Sequence, residues 1–495
     1  MSAIKRLASQ TAVYGIPSIA GRFLNYLLTY LYTRVFSTEQ FGVNSEFYAY
    51  SGFFAVLLAF GMETGFFRFY NGATDTKKVF ATTLRFVGGM AGLFLALVYL
   101  FAEPIAGALQ YSDHKEYIYW FGWMLAIDAL CAIPFARLRA ENKASLFAGI
   151  KLIEIGINIS INVFFLIICR KAYIENSGSF LASLYSPAIG VGYIFIANLV
   201  ASAGKLLLLS PQFIDIRAGF DRQLFRKILE YSLPMVVIGF AGIINEMLDR
   251  MILKYTLPYD NTTNLQMLGI YGACYKLSII MSLFIQAFRF AAEPFFFAQK
   301  NEANAKQVYA DVLKYFTIFC VFVLLLVLLY LPVVQLFIGT EFRRGLKVVP
   351  ILLMANLFLG IYVNLSVWYK LTDRTGLGAL VSIGGALITV VLNFALIPYL
   401  GYMGSAWATL ACYFSMAAVS YYLGQRFYPV QYDVKKIVGY PLLGLVIYGL
   451  NASIPSVNTP IPWYVTGTLF MLLFLFIAYL LDIRKSGLLS RITSA

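Results

Sequence analysis

The sequence predicts an all-α polytopic membrane protein of about fourteen transmembrane helices, with two pseudosymmetric six-helix lobes plus two C-terminal helices. Three observations predict it. First, 60% of the residues are hydrophobic and only 13% are charged, against about 25% charged in a soluble chain. Second, residues 375–425 and 437–481 contain no Asp, Glu, Lys or Arg. Each run exceeds the ~20 apolar residues of one span and holds two spans with a turn. Third, a pattern recurs. Tyr14-Gly-Ile-Pro17 opens the first span and Tyr231-Ser-Leu-Pro234 the seventh, while Phe41-Gly42 and Leu268-Gly269 open the spans that follow. Both pairs run in the same direction, so the repeat is parallel, with its axis along the membrane normal. Chance similarity among apolar helices is the alternative. A β-barrel is excluded, because its strands alternate around a polar lumen.

In chain order, the first lobe (1–210) carries spans at 11–36, 41–66, 80–102, 117–135, 146–169 and 185–209. A connector (211–230) alternates Asp215, Arg217, Asp221, Arg222, Arg226 and Lys227 with Ile214, Phe220, Leu224 and Phe225, the pattern of a basic amphipathic segment lying on the membrane surface. The second lobe (231–425) carries spans at 231–257, 267–292, 312–338, 348–369, 377–398 and 404–423, and a last segment (426–495) adds spans at 437–450 and 463–481 and a tail. With the N-terminus in the cytoplasm, most Lys and Arg fall in cytoplasmic loops, which fixes the orientation and puts both termini inside. The net charge of +14 is therefore loop charge and does not point to nucleic acid. The first apolar stretch is too long for a cleavable signal and reads as an uncleaved span. The five cysteines lie far apart in apolar runs, which argues against a disulfide framework or a metal site.

No enzyme signature and no phosphate-binding Gly-x-x-x-x-Gly-Lys-Ser/Thr loop is present, and no cofactor is implied. The only histidine, His114, falls in a short outer loop. The informative residues are charges inside spans. Arg22 sits mid-span in a stripe with Ser18, Asn25, Thr29 and Thr33 at helical spacing. A stripe of this kind must face protein or trapped water, because an unpaired charge in hydrocarbon costs about 2.5–3.5 kcal/mol or more. Arg22 and Lys276 read as a cationic lining for an anionic substrate, or else as structural ion pairs. Arg34 and Arg250 read as snorkelling cations, with a cavity role as the alternative. Glu246 and Arg250 stand at i, i+4 and pair within their helix, which leaves Asp249 to face Lys276. Asp128, Glu246 and Asp249 are candidates for ion coupling, with a hydrogen-bonded structural acid the other reading of Asp128. Asn25, Thr29, Asn364 and Asn393 are candidate partners for sugar hydroxyls.

Three stretches resemble the polysaccharide-exporter branch of the multidrug/oligosaccharidyl-lipid/polysaccharide (MOP) superfamily, the Wzx-type flippases. They are Leu31-Tyr-Thr-Arg-Val-Phe-Ser-Thr-Glu-Gln-Phe-Gly42; Tyr231-Ser-Leu-Pro-Met with Leu248-Asp-Arg-Met-Ile-Leu253 and Gly269-Ile-Tyr-Gly-Ala-Cys-Tyr-Lys-Leu277; and Leu392-Asn-Phe-Ala-Leu-Ile-Pro398 with Gly401-Tyr-Met-Gly-Ser-Ala-Trp-Ala-Thr409. Their order and spacing, rather than any one motif, carry the likeness. It implies two lobes around a central cavity and alternating access without ATP. The implied substrate is an undecaprenyl-diphosphate-linked oligosaccharide, moved across the bacterial cytoplasmic membrane by a monomeric transport unit, with a polymerase and glycosyltransferases as partners. In related lipid flippases, cations of spans one, two and eight line the cavity. Arg22 and Lys276 match that placement, whereas span two has Glu46 and Glu63 instead. A cation-coupled multidrug antiporter of the same superfamily is the alternative, and a non-transporting scaffold in a glycan-assembly complex is a third reading.

Overall fold

The computed structural model describes residue 24 and residues 26–70, 75–176, 178–300, 302–454 and 462–483. Arg22 and Asn25 lie outside the described residues. The chain forms two compact units, Met1–Gly272 and Ala273–Ala495, and the described residues contain no strand. Among them, eleven helical stretches are long and apolar enough to cross a membrane, against the fourteen spans predicted. Two further helices, Tyr402–Phe427 and Val434–Ser453, stand where the twelfth and thirteenth spans were predicted but are not among the eleven. The reason is composition. Tyr402–Phe427 is rich in small and weakly polar residues that it buries, such as Gly404, Ser405 and Thr409. Val434–Ser453 begins with Lys435 and Lys436. The first predicted span is described only in part.

In the first unit, a helix over residues 26–35 (α1) leads to α2 (Thr38–Ala59) through a capping box. The Ser37 hydroxyl accepts from the Gln40 N–H, and the Gln40 carboxamide accepts from the Ser37 N–H. Phe60 and Gly61 both take left-handed backbone, with φ of 47° and 67°, so span two is broken and resumes as α3 (Met62–Tyr70). Then come α4 (Thr76–Leu100), α5 (Lys115–Ala140), α6 (Ala144–Val163, prolonged by a π-turn over Phe164–Cys169) and α7 (Gly192–Leu209). The predicted surface connector divides in two. Its first part is a 3₁₀ segment, Ser210–Ala218, tied to the unit by Arg137, which bonds Asp215 at 2.6 Å, and by Arg85, which donates to the Ile216 carbonyl at 3.0 Å. Its second part is the first turns of α8 (Arg222–Thr256), where Asp221 accepts from the Gln223 and Leu224 N–H groups. Pro234, expected at a helix start, therefore lies inside α8.

Small residues set the packing of α2 and α3 against α8 and the start of α9 (Asn261–Gln299). A Cβ at Gly42 would run into the Leu265 carbonyl, and one at Gly269 into the Thr38 carbonyl. Gly272 lies against Ser45, Gly52 against Ile243, and Gly61 and Gly65 against Ser232. Close approach through small residues is the usual means of helix association in lipid, where there is no hydrophobic drive. This seam keeps α8 with the first unit. α8 and the first turns of α9 lie in the first unit, which ends at Gly272.

The second unit holds the rest of α9, then α10 (Ala305–Leu329), α11 (Val348–Leu365), α12 (Thr375–Leu400), α13 (Tyr402–Phe427), α14 (Val434–Ser453) and α15 (Trp463–Ala478). Gly401, with φ of 60°, turns α12 into α13, and Gly404 rides on the Leu396–Ile397 backbone. Asp482, just beyond α15, is buried and bonds Lys436 and Tyr440 of α14 and, at 3.7 Å, Lys314 of α10. The last two helices are thereby fastened to α10.

Two predictions follow from this packing. Gly269→Val forces two backbones apart and costs stability, about 1–3 kcal/mol or more, whereas Gly242→Val on α8 meets open space and leaves the melting temperature in detergent nearly unchanged. The Asp221 carboxyl is held below its usual 3.8, first by the Leu224 N–H. A depressed folded value stabilises fully above 3.8 and is lost as pH falls through the folded value. Melting curves recorded at falling pH should show that loss, and Asp221→Asn, an uncharged cap, should flatten it.

Candidate functional site

Two clusters of polar side chains are buried in the first unit. The larger follows helical periodicity. On α6, Lys151, Glu154, Asn158 and Asn162 recur at steps of three, four and four; on α7, Asn198, Ser202 and Lys205 recur at four and three. The two stripes face each other. Lys205 Nζ lies 2.6 Å from both Asp128 of α5 and Glu154. Ser202 donates a second hydrogen bond to Asp128, and Lys151 holds the other Glu154 oxygen at 3.0 Å. The Asn158 carboxamide donates to Asn198 at 2.7 Å, Asn198 to the Tyr48 hydroxyl of α2 at 3.1 Å, and Asn162 to Asn158. Two carboxylates and two ammonium groups make the set neutral, which is the condition for charges at membrane depth. Its exposure is uneven. The Lys205 side chain is 4% exposed and that of Asp128 42%, so Asp128 has one face held by Lys205 and Ser202 and the other open.

The second cluster is sealed. Glu46 of α2 is fully buried. Lys254 of α8 reaches its carboxylate at 3.0 Å, the Tyr50 and Tyr255 hydroxyls donate at 3.0 and 3.1 Å, and the Tyr111 hydroxyl donates to the other oxygen. Lys254 also donates to the Leu109 carbonyl at 2.7 Å and lies over the Tyr111 ring at 4.2 Å. Every lone pair and ammonium proton thus has a close partner, the arrangement that offsets desolvation of a buried pair.

Comparison in sequence finds no matching family model and no matching curated protein. Comparison of folds does find relatives. One is an inward-facing multidrug resistance MATE family transporter of the MOP superfamily, with a TM-score of 0.66 over 85% of this chain and 95% of that one, at 14% identity. The fold is that of the MATE transporters. A MATE in a bent conformation is similar at a TM-score of 0.58 and 14% identity, over 90% of this chain and 99% of the other. A mutant of the Vibrio cholerae MATE transporter VcmN gives 0.54 and 12%, over 86% and 98%.

Within this MATE fold the sequence-predicted residues fall as follows. Thr29 is buried, and its carbonyl accepts from the Thr33 hydroxyl at 2.9 Å. Arg34 is exposed, donating to the Tyr30 carbonyl at 2.9 Å with its guanidinium 3.5 Å over the Tyr30 ring. Arg250 is buried. It reaches the Glu246 backbone carbonyl at 3.2 Å and the Met247 sulfur at 2.9 Å, while the Glu246 side chain is exposed. The contact between Arg250 and Glu246 described here is to the Glu246 backbone carbonyl, whereas the expected pair was between side chains. Asp249 is buried, accepting from the Tyr271 hydroxyl at 2.6 Å and from the Arg250 N–H. Lys276 is half-buried on α9. Asn364 and Asn393 are buried and donate to the Gly360 and Thr389 carbonyls of their own helices, leaving each carboxamide oxygen without a hydrogen bond.

Sequence reasoning took only Arg22 and Lys276 as cations within spans. It singled out none of Lys205, Glu154, Lys151 and Lys254. The signal was available, since the steps of three and four that mark the Arg22 stripe also run through α6 and α7. What periodicity could not supply was which stripes meet.

Removing one charge should separate a paired cluster from a merely polar one. Lys205→Met leaves Asp128 and Glu154 sharing a low-dielectric site and costs about 3–5 kcal/mol. The double variant Lys205→Met/Asp128→Asn should recover part of that loss, read as melting temperature in detergent. A double variant no more stable than the single would mean the pair is not coupled.

Proposed function

We propose that the protein is an alternating-access transporter that moves an undecaprenyl-diphosphate-linked oligosaccharide across the bacterial cytoplasmic membrane, for O-antigen, capsule or exopolysaccharide synthesis. One observation carries this reading over a cationic substrate. The buried acids Glu46, Asp249 and Asp482, and the partly buried Glu154 and Asp128, each accept from a built-in Lys, Tyr or Ser donor. Carboxylates already held by the chain's own donors are poor sites for a cationic drug. A diphosphate instead needs cations, and a guanidinium fork matches its oxygens. Arg22, Lys276, Arg34 and Arg250 are the candidates. Asn25, Thr29, Asn364 and Asn393 would serve the sugars; the unbonded acceptors of Asn364 and Asn393 suit hydroxyl donors. Asp128, with its open face, is the coupling candidate, ahead of Glu246 and Asp249. A polymerase and glycosyltransferases would act before and after it.

The second reading, a cation-coupled multidrug antiporter, is favoured by the fold shared with a multidrug resistance MATE family transporter and by the same open face of Asp128. Reconstituted vesicles separate the two. The flippase reading expects a labelled diphospho-lipid to change leaflets and a cationic dye not to be carried; the opposite result would replace it. Arg22→Ala and Lys276→Ala should each lower lipid movement by about tenfold or more, the value of a charge-assisted hydrogen bond of roughly 1.5–3 kcal/mol, with insertion intact.

A further inference from the structure

The sealed cluster around Glu46 and the break at Phe60–Gly61 belong to the same span, and together they describe a moving part. Below the break, α3 is fixed. Gly65 lies against Ile228 and Ser232 of α8, Gly61 rides on the Ser232 backbone, and Glu63 pairs with Arg139 of α5. Above it, the middle of α2 meets α8 through side chains, Gly52 with Ile243 and Met247, Val56 with Gly239, and Phe53 with Phe240. At its far end α2 is pinned again, by Glu46 to Lys254 and Tyr255, and by the backbone crossing of Thr38 and Gly42 with Leu265 and Gly269. A helix held at both ends around a left-handed break can rotate about that break once one end is released. Gly61 has the left-handed backbone that glycine adopts at least cost.

We propose that Glu46 and Lys254 are a latch that holds α2 against α8 at the end the loop charges place outside, and that Phe60–Gly61 is the hinge on which residues 38–59 swing when it opens. The proposal rests on the alternating-access reading. An ion pair suits this role better than apolar packing. The Coulomb gain of a buried pair and the hydration of the two separated ions nearly balance, so the pair specifies the closed arrangement without making it permanent. The three tyrosine hydroxyls hold the carboxylate toward the ammonium, and the buried Tyr111 ring covers the pair. Opening delivers both charges to water, where each is separately solvated.

A cysteine placed at Ser45 tests the latch. Ser45 is buried against Gly272, and the five native cysteines are buried. An impermeant maleimide applied to the outer face should label Ser45→Cys slowly. In the added presence of Glu46→Gln or Lys254→Met it should label about tenfold faster, and Tyr255→Phe, a milder change, should give a smaller acceleration. Circular dichroism and melting temperature identify variants that fold, and Tyr255→Phe serves if the charge variants do not. Unchanged labelling in a folded Glu46→Gln, Lys254→Met or Tyr255→Phe protein, or faster labelling only from the inner face, overturns the latch. The assay needs no substrate, so accelerated labelling without glycolipid movement would count against the transport reading and leave the latch standing.

Discussion

A carboxylate or an ammonium group taken into hydrocarbon must bring its own partner, and the described part of this molecule is arranged around that requirement. Burying one ion costs several kcal/mol even after relaxation, more than most single helix contacts return. The fold meets the cost locally. Lys205 stands between Asp128 and Glu154, Lys254 on Glu46, and Lys436 on Asp482. Each pair joins different helices, so the same bonds that neutralise charge also fix which helices are neighbours.

The helices can make these bonds because small residues let them come close. An ammonium at the end of a lysine reaches a carboxylate on a facing helix only if the backbones are near, and at the α2–α8–α9 crossing glycines remove the Cβ atoms that would keep them apart. Glycines and ion pair are thus parts of one arrangement. The glycines set the separation, and the pair reads it. A crossing that depended on packing alone would tolerate a slip by one residue more readily than one in which a slip leaves a charge unmatched.

Much of the fold was legible in the sequence, and for a simple reason. Apolar length and the absence of charge depend on local composition, so the runs at 375–425 and 437–481 announced helices that the structure contains. Boundaries governed by tertiary contact were less accessible. Nothing within residues 211–230 reveals that Arg137 and Arg85 hold half of that segment to the first unit while Asp221 starts a 35-residue helix in the other half. The site was legible only one helix at a time. Lys205 and Glu154 each look like an isolated charge in a hydrophobic run, and Lys254 looks like the basic end of a span. Their meaning lies in the pairing, which is a property of three dimensions. Arg22, the residue on which the sequence argument leaned most, lies outside the described residues, so its stripe still stands on periodicity and cost alone.

The two clusters of the first unit use the same chemistry and differ in access. Around Glu46 both partners are below the surface, with side chains 0% and 1% exposed, and hydroxyls fill the remaining directions. Around Lys205 the ammonium is buried, yet one carboxylate partner, Asp128, keeps an open face. A sealed pair can change state only if helices part, so its natural variable is conformation. The polar column from Asp128 through Ser202 and Lys205, and from Asn198 to Tyr48 on α2, gives the two clusters a common helix, since Tyr48 and Glu46 lie within one turn of each other.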